Sequence, residues 1–186
     1  MSKTQPTFAT QATAFAPSGV RAPDARVTTA GRGRASGLRG IARVLATPAD
    51  PTATVARLAL GAMILPHGLQ KAFGMFGGYG FSGTMQFFTE TMHIPYIFGV
   101  LAIAAELLGG LGLLVGLSGR VAAFGVGFTL LVAALTSHVQ NGFFMNWFGA
   151  QKGEGVEFFL LAIALAVVVM IRGSGAWSLD RLIDRR

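Results

Sequence analysis

The chain contains four apolar blocks, residues 53–73, 94–117, 121–138 and 154–171, separated by a tight turn or by loops rich in glycine and aromatics. A helix crosses a bilayer in roughly 20 apolar residues, and lipid offers no partner for an unpaired backbone group, so such blocks fold as helices. The second block holds a carboxylate, Glu106, near its middle. A charge at that depth costs about 2.5–3.5 kcal/mol on insertion scales, so it faces a partner or a watery cavity. The other blocks bring His67, Lys71, His138 and Glu157 into the same setting.

Composition points the same way. Hydrophobic residues make up 52% of the 186 and charged residues 12%, against about 25% charged in an ordinary soluble domain. The fold class expected is all-α, a polytopic membrane protein whose four transmembrane helices form an antiparallel bundle. There is no cysteine, which removes disulfides, dithiol redox chemistry and cysteine-ligated iron–sulfur clusters. A redox role would need an external carrier, a bound cofactor or a partner subunit.

The net charge of +7 is laid out unevenly. Residues 1–50 carry +5. Adding Arg57, Arg120 and the tail from Arg172, the segments on one side of the spans reach +9, whereas the other two loops and their span ends net −1. The positive-inside rule then places both termini and the tight second loop in the cytoplasm. The basic excess is a membrane signature, and nothing calls for nucleic acid. Residues 1–34, rich in Ala, Thr, Ser, Gly and Arg, read as a disordered basic tail. No apolar h-region follows, so no secretory signal is expected. In 35–50, Leu38, Ile41, Val44 and Leu45 recur opposite Arg39 and Arg43, the pattern of an amphipathic helix lying on an anionic surface.

Helical spacing gathers Leu60, Ile64, His67 and Lys71 into one stripe, and Gly99, Ile103, Glu106 and Gly110 into another. Pro66 leaves the Ala62 carbonyl without its helical donor, beside His67. Gly112 and Gly116 make a GxxxG pair suited to close helix contact. At 1.5 Å per residue, His67 lies roughly 10 Å and Glu106 roughly 18 Å below the outer boundary, with His138 and Glu157 within about a turn of it. All four fit one pocket opening outward.

Plainer roles compete: Lys71 snorkelling, His138 and Glu157 capping helix ends, His67 bonded to the Ala62 carbonyl, Glu106 as an interhelical hydrogen-bonding group. The sharper chemistry is quinone binding. A buried carboxylate and an imidazole can bind quinone oxygens and exchange the protons that accompany two-electron reduction. A bis-histidine haem on His67 and His138 is disfavoured by their difference in depth. Copper(I) on Met75, Met85, Met92 and Met145 is disfavoured because methionine commonly fills gaps. No metal or haem is expected.

The strings PHGLQKAFG, AELLGGLGLLVGLSGR, NGFFMNWFG, GEGVE and GSGAWSLD, in that order, resemble the DoxX family of small four-helix membrane proteins across residues 51–183. The resemblance implies a multi-pass protein of the bacterial inner membrane linked to oxidoreduction. Some relatives are small subunits of thiosulfate:quinone oxidoreductase, and others are tied to quinone or oxidative stress. His67, Lys71, Glu106, Glu154 and Glu157 match its motifs, and His138 less closely. The expectation is a membrane subunit of an oxidoreductase system that binds a quinone. Glu106 and His67 would be catalytic, and Lys71, His138, Glu154 and Glu157 would shape the binding site. Expected partners are lipid and a redox-enzyme subunit, with a homo-oligomer a further option. The alternative is a non-catalytic scaffold or assembly partner for a redox enzyme. A small transporter is less favoured, since no inverted repeat is visible.

Overall fold

A computed structural model describes residues 47–184. The tail read at 1–34, and the amphipathic helix up to residue 46, lie outside the described residues; 47–50 is irregular chain.

Helix α1, Pro51–Phe73, begins where Asp50 accepts a hydrogen bond from the Thr52 N–H at 2.9 Å and Pro51 fills a first-turn position that needs no donor. It runs through Pro66 and ends at Gly74, in the left-handed region at φ +71°, whose N–H returns to the Gln70 carbonyl. A 3₁₀ turn at Met75–Gly77 leads to short α2, Gly80–Gln86, which continues as a π-helical turn at Phe87–Thr91. Then come α3, Tyr96–Val115, and α4, Gly119–Ala133, the latter prolonged by a π turn at Ala134–His138 and a 3₁₀ turn at Val139–Asn141. Helix α5 is Glu157–Arg172 and α6 is Leu179–Asp184. No strand occurs among the described residues, so the fold is all-α.

The four long helices close a ring: α1 packs on α3, α3 on α4, α4 on α5, and α5 back on α1. Neighbours run antiparallel. Arg57 meets Leu113 at one end of the α1–α3 pair and Lys71 meets Glu106 at the other. Likewise Asp50 meets Arg172, and His67 meets Phe158. Residues 47–50 and α6 therefore share one end, called terminal below, while α2 and the loop after α4 cover the distal end.

Leu60, Ile64, Leu113, Val126, Leu130, Ala166 and Val169 fill the middle of the ring. Leu108, Phe124, Phe128, Leu161 and Ile171 point outward and are exposed, an apolar perimeter that water does not favour and lipid does. Tyr96–Val115 and Gly119–Asn141 are long and apolar enough to cross a membrane. Helix α1 has 23 residues but carries Arg57, His67 and Lys71, and α5 has only 16.

Two glycines set the α1–α3 distance. A Cβ on Gly68 would lie 2.6 Å from Leu107 backbone atoms, and one on Gly110 would lie 3.0 Å from the Leu65 Cα. The GxxxG reading needs correcting here. Gly112 lies against Leu117 and Ala122, but Gly116 is the left-handed residue that ends α3, at φ +71°, so the pair is not a helix-contact motif. The contacts fall to Gly109 and Gly110, because α3 stops one residue before Gly116.

Candidate functional site

Beside Gly68, the Lys71 Nζ lies 2.6 Å from Glu106 Oε2. The Glu106 side chain is 7% exposed and that of Lys71 is 28% exposed. Backbone direction explains the meeting. Side chains on a helix lean toward its N-terminus, and α1 and α3 are antiparallel, so Lys71 leans inward while Glu106 leans toward the distal end. The carboxylate that the sequence left in need of a partner has a cation.

His67 lies one turn below Lys71 on the same stripe, near enough to feel both charges of the pair, with Gln70 beside it. It is exposed, and its ring centroid is 6.3 Å from that of Phe158 on α5. No hydrogen bond joins it to the Ala62 carbonyl, so the plainer role considered for it is corrected: the imidazole opens toward the gap between α1 and α5.

His138, Glu154 and Glu157 form a second group. His138 Nδ1 is 2.9 Å from the Glu154 carbonyl oxygen, which also accepts from Asn141 Nδ2 at 3.0 Å. Glu154 Oε2 accepts from the Asn146 N–H at 2.6 Å, and Glu157 Oε2 accepts from the Met145 N–H at 3.3 Å. These groups fold the distal loop onto α4 and α5. An aromatic chain connects them to His67: Phe158 packs edge-on against Phe159 at 5.4 Å, and Phe159 lies 4.3 Å from the His138 ring. The structure thus brings Lys71 and Glu106 into contact with His67 alongside, and sets His138, Glu154 and Glu157 apart, around the distal loop.

A polar cluster at the terminal end was not foreseen. Arg57 is 2% exposed and, among the described residues, its hydrogen bonds all go to carbonyls. Its Nε donates to Ser174 at 2.7 Å, Nη1 to Leu113 and Leu114 at 2.7 Å each, and Nη2 to Ala176 at 3.4 Å and Trp177 at 2.8 Å. Leu113 and Leu114 belong to the last turn of α3, where unpaired carbonyls and the helix dipole favour a cation. Asp180, 1% exposed, does the converse at the start of α4, accepting from the Ser118 N–H at 2.6 Å and the Gly119 N–H at 3.0 Å, and from the Ser174 hydroxyl. Asp50 pairs with Arg172 at 2.6 Å, and that hydrogen-bonded guanidinium holds its carboxyl below the usual carboxylate range. The only sequence signal was the string GSGAWSLD; Arg57 read simply as a topological charge.

The family model named DoxX matches residues 52–139. Over that stretch the chain is similar to the DoxX family. The matched stretch contains Arg57, His67, Lys71, Glu106 and His138, and stops short of Glu154, Glu157 and Asp180. The match, the apolar perimeter and the two membrane-length helices together fit a membrane protein similar to the DoxX family. No curated protein and no solved structure matches it.

Proposed function

We propose that this DoxX-like protein is a membrane subunit of an oxidoreductase system, and that it binds a quinone headgroup at the Lys71–Glu106 pair. On this reading all four long helices span the inner membrane of a bacterium, with both termini cytoplasmic and the distal end facing outward. The single observation that carries it is the ion pair itself, at 2.6 Å, with an exposed imidazole one turn away.

The donor set suits a flat ring with two carbonyl acceptors. Lys71 commits one N–H to Glu106 and keeps two for a carbonyl oxygen. Phe158 supplies an aromatic face next to His67. A bound quinone supplies a couple of two electrons and two protons. Glu106 Oε2 takes up or gives up a proton beside the Lys71 Nζ, and the His67 imidazole relays it to water in the gap between α1 and α5. The electrons are exchanged with a partner subunit, since this chain has no thiol.

Quinone co-extracted in mild detergent tests the reading. Near one per chain is expected for wild type, with background levels for Glu106→Gln and for His67→Ala. Background levels in wild type would sink it.

The second reading is a scaffold for a redox enzyme. It is favoured by the use of His138, Glu154 and Glu157, whose polar atoms are taken up by the distal loop. In that case the pair only fastens α1 to α3, and its loss lowers stability with no effect on quinone.

A further inference from the structure

The terminal end carries an apolar groove that the proposed quinone site does not use. It holds about 550 Å³ and is lined by Ala49, Val115, Trp177, Leu179, Arg181 and Leu182, among others. Val115 is the last residue of α3, so the groove lies at the end of the bundle where that apolar helix stops.

Two of its walls are unusual. Trp177 has φ +49°, a left-handed backbone disfavoured for a bulky residue, and is held there while its carbonyl accepts from Arg57 Nη2 at 2.8 Å. The indole is left 82% exposed. Arg181 makes no ion pair among the described residues. Its neighbour Asp180 is spent on the start of α4, and Asp184, one turn further on, is exposed and likewise unpaired. A cation at the rim of an apolar trough, with an interfacial indole beside it, is complementary to a molecule with a hydrocarbon tail and an anionic head.

We propose that this groove binds one anionic phospholipid. The acyl chain lies against Val115, Leu179 and Leu182, the phosphate diester sits on Arg181, and the Trp177 indole lies along the glycerol region. The proposal needs the chain to be in a membrane, which its similarity to the DoxX family supports, and is independent of quinone binding.

Tryptophan quenching tests it. The chain has two tryptophans, and Trp147 is 78% exposed in the distal loop, so Trp147→Phe leaves Trp177 as the sole reporter. The full chain is reconstituted in phosphatidylcholine vesicles doped with either brominated phosphatidylglycerol or brominated phosphatidylcholine. The anionic lipid should quench Trp177 at about a fivefold lower mole fraction, the effect of one basic residue at an anionic surface. Arg181→Gln should abolish that difference and Arg181→Lys should keep most of it. Equal quenching by the two lipids overturns the proposal, as does a preference that survives Arg181→Gln. Trp177 that neither lipid quenches would mean that protein covers the groove, whether residues before 47 or a second copy, and overturns it as well.

Discussion

Arg57 and Lys71 sit about four turns apart on the same helix and solve the same problem differently. Among the described residues Arg57 has no carboxylate in contact and is held by five carbonyl acceptors, which suits a planar group with five fixed donors. Lysine offers a point charge and three donors, so Arg57→Lys should cost about 3 kcal/mol, from hydrogen bonds to a charged group worth roughly 1.5–3 kcal/mol each. Denaturant titration of the detergent-solubilised protein reads this directly. Lys71→Met strands Glu106, and breaking a buried pair costs about 3–5 kcal/mol, less here because Lys71 is partly exposed. The double variant Lys71→Met with Glu106→Gln should recover most of that loss by the same titration. That Glu106 needs a partner was legible from the sequence; which partner was not. Spacing locates Cα atoms, whereas the long stem of Lys71 leans inward along α1 to reach the carboxylate.

Among the elements, the contact of α1 with α3 decides whether the site exists. Gly68→Ala puts a Cβ 2.6 Å from the Leu107 backbone, which no rotamer change relieves. It should push the helices apart at a cost of about 1–3 kcal/mol. Spin labels on cysteines introduced into α1 and α3 should then report a longer distance, since the chain has no native cysteine to interfere. Gly125→Ala, whose Cβ would make an ordinary 3.5 Å contact with Ala105, should leave the distance unchanged and cost no stability. The helical blocks and the stripe of Gly99, Ile103, Glu106 and Gly110 could be read from periodicity alone, and all four residues are buried. The role of Gly116 could not. A GxxxG pattern is the same string whether its second glycine lies in a helix or ends one, and only the turn into α4 distinguishes them.

Over the whole molecule, the terminal end is fastened by contacts between residues far apart in sequence, which no local pattern reveals. Arg57 with residues 174–177, Asp180 with residues 118–119, and Asp50 with Arg172 tie the ring closed there. Asp50 also gives a pH dependence with a definite sign. Its folded pKa lies below the ordinary 3.8, so its contribution is present above about pH 4 and is lost as pH falls through the folded value. Unfolding followed from pH 7 to pH 3 should show stability declining at the acid end, and Asp50→Asn should flatten that decline. The distal end carries the functional question, and exchanging its two charges separates the two readings. Lys71→Glu with Glu106→Lys keeps an ion pair between α1 and α3 but moves the proposed donor and the proposed proton-exchanging carboxylate to each other's positions. The measurement is quinone per chain in the purified exchanged protein and in wild type, alongside their unfolding midpoints. The account predicts near-stoichiometric quinone in wild type, and near-background quinone in an exchanged protein of similar stability. Background quinone in both, or full occupancy in the exchanged protein, would contradict it.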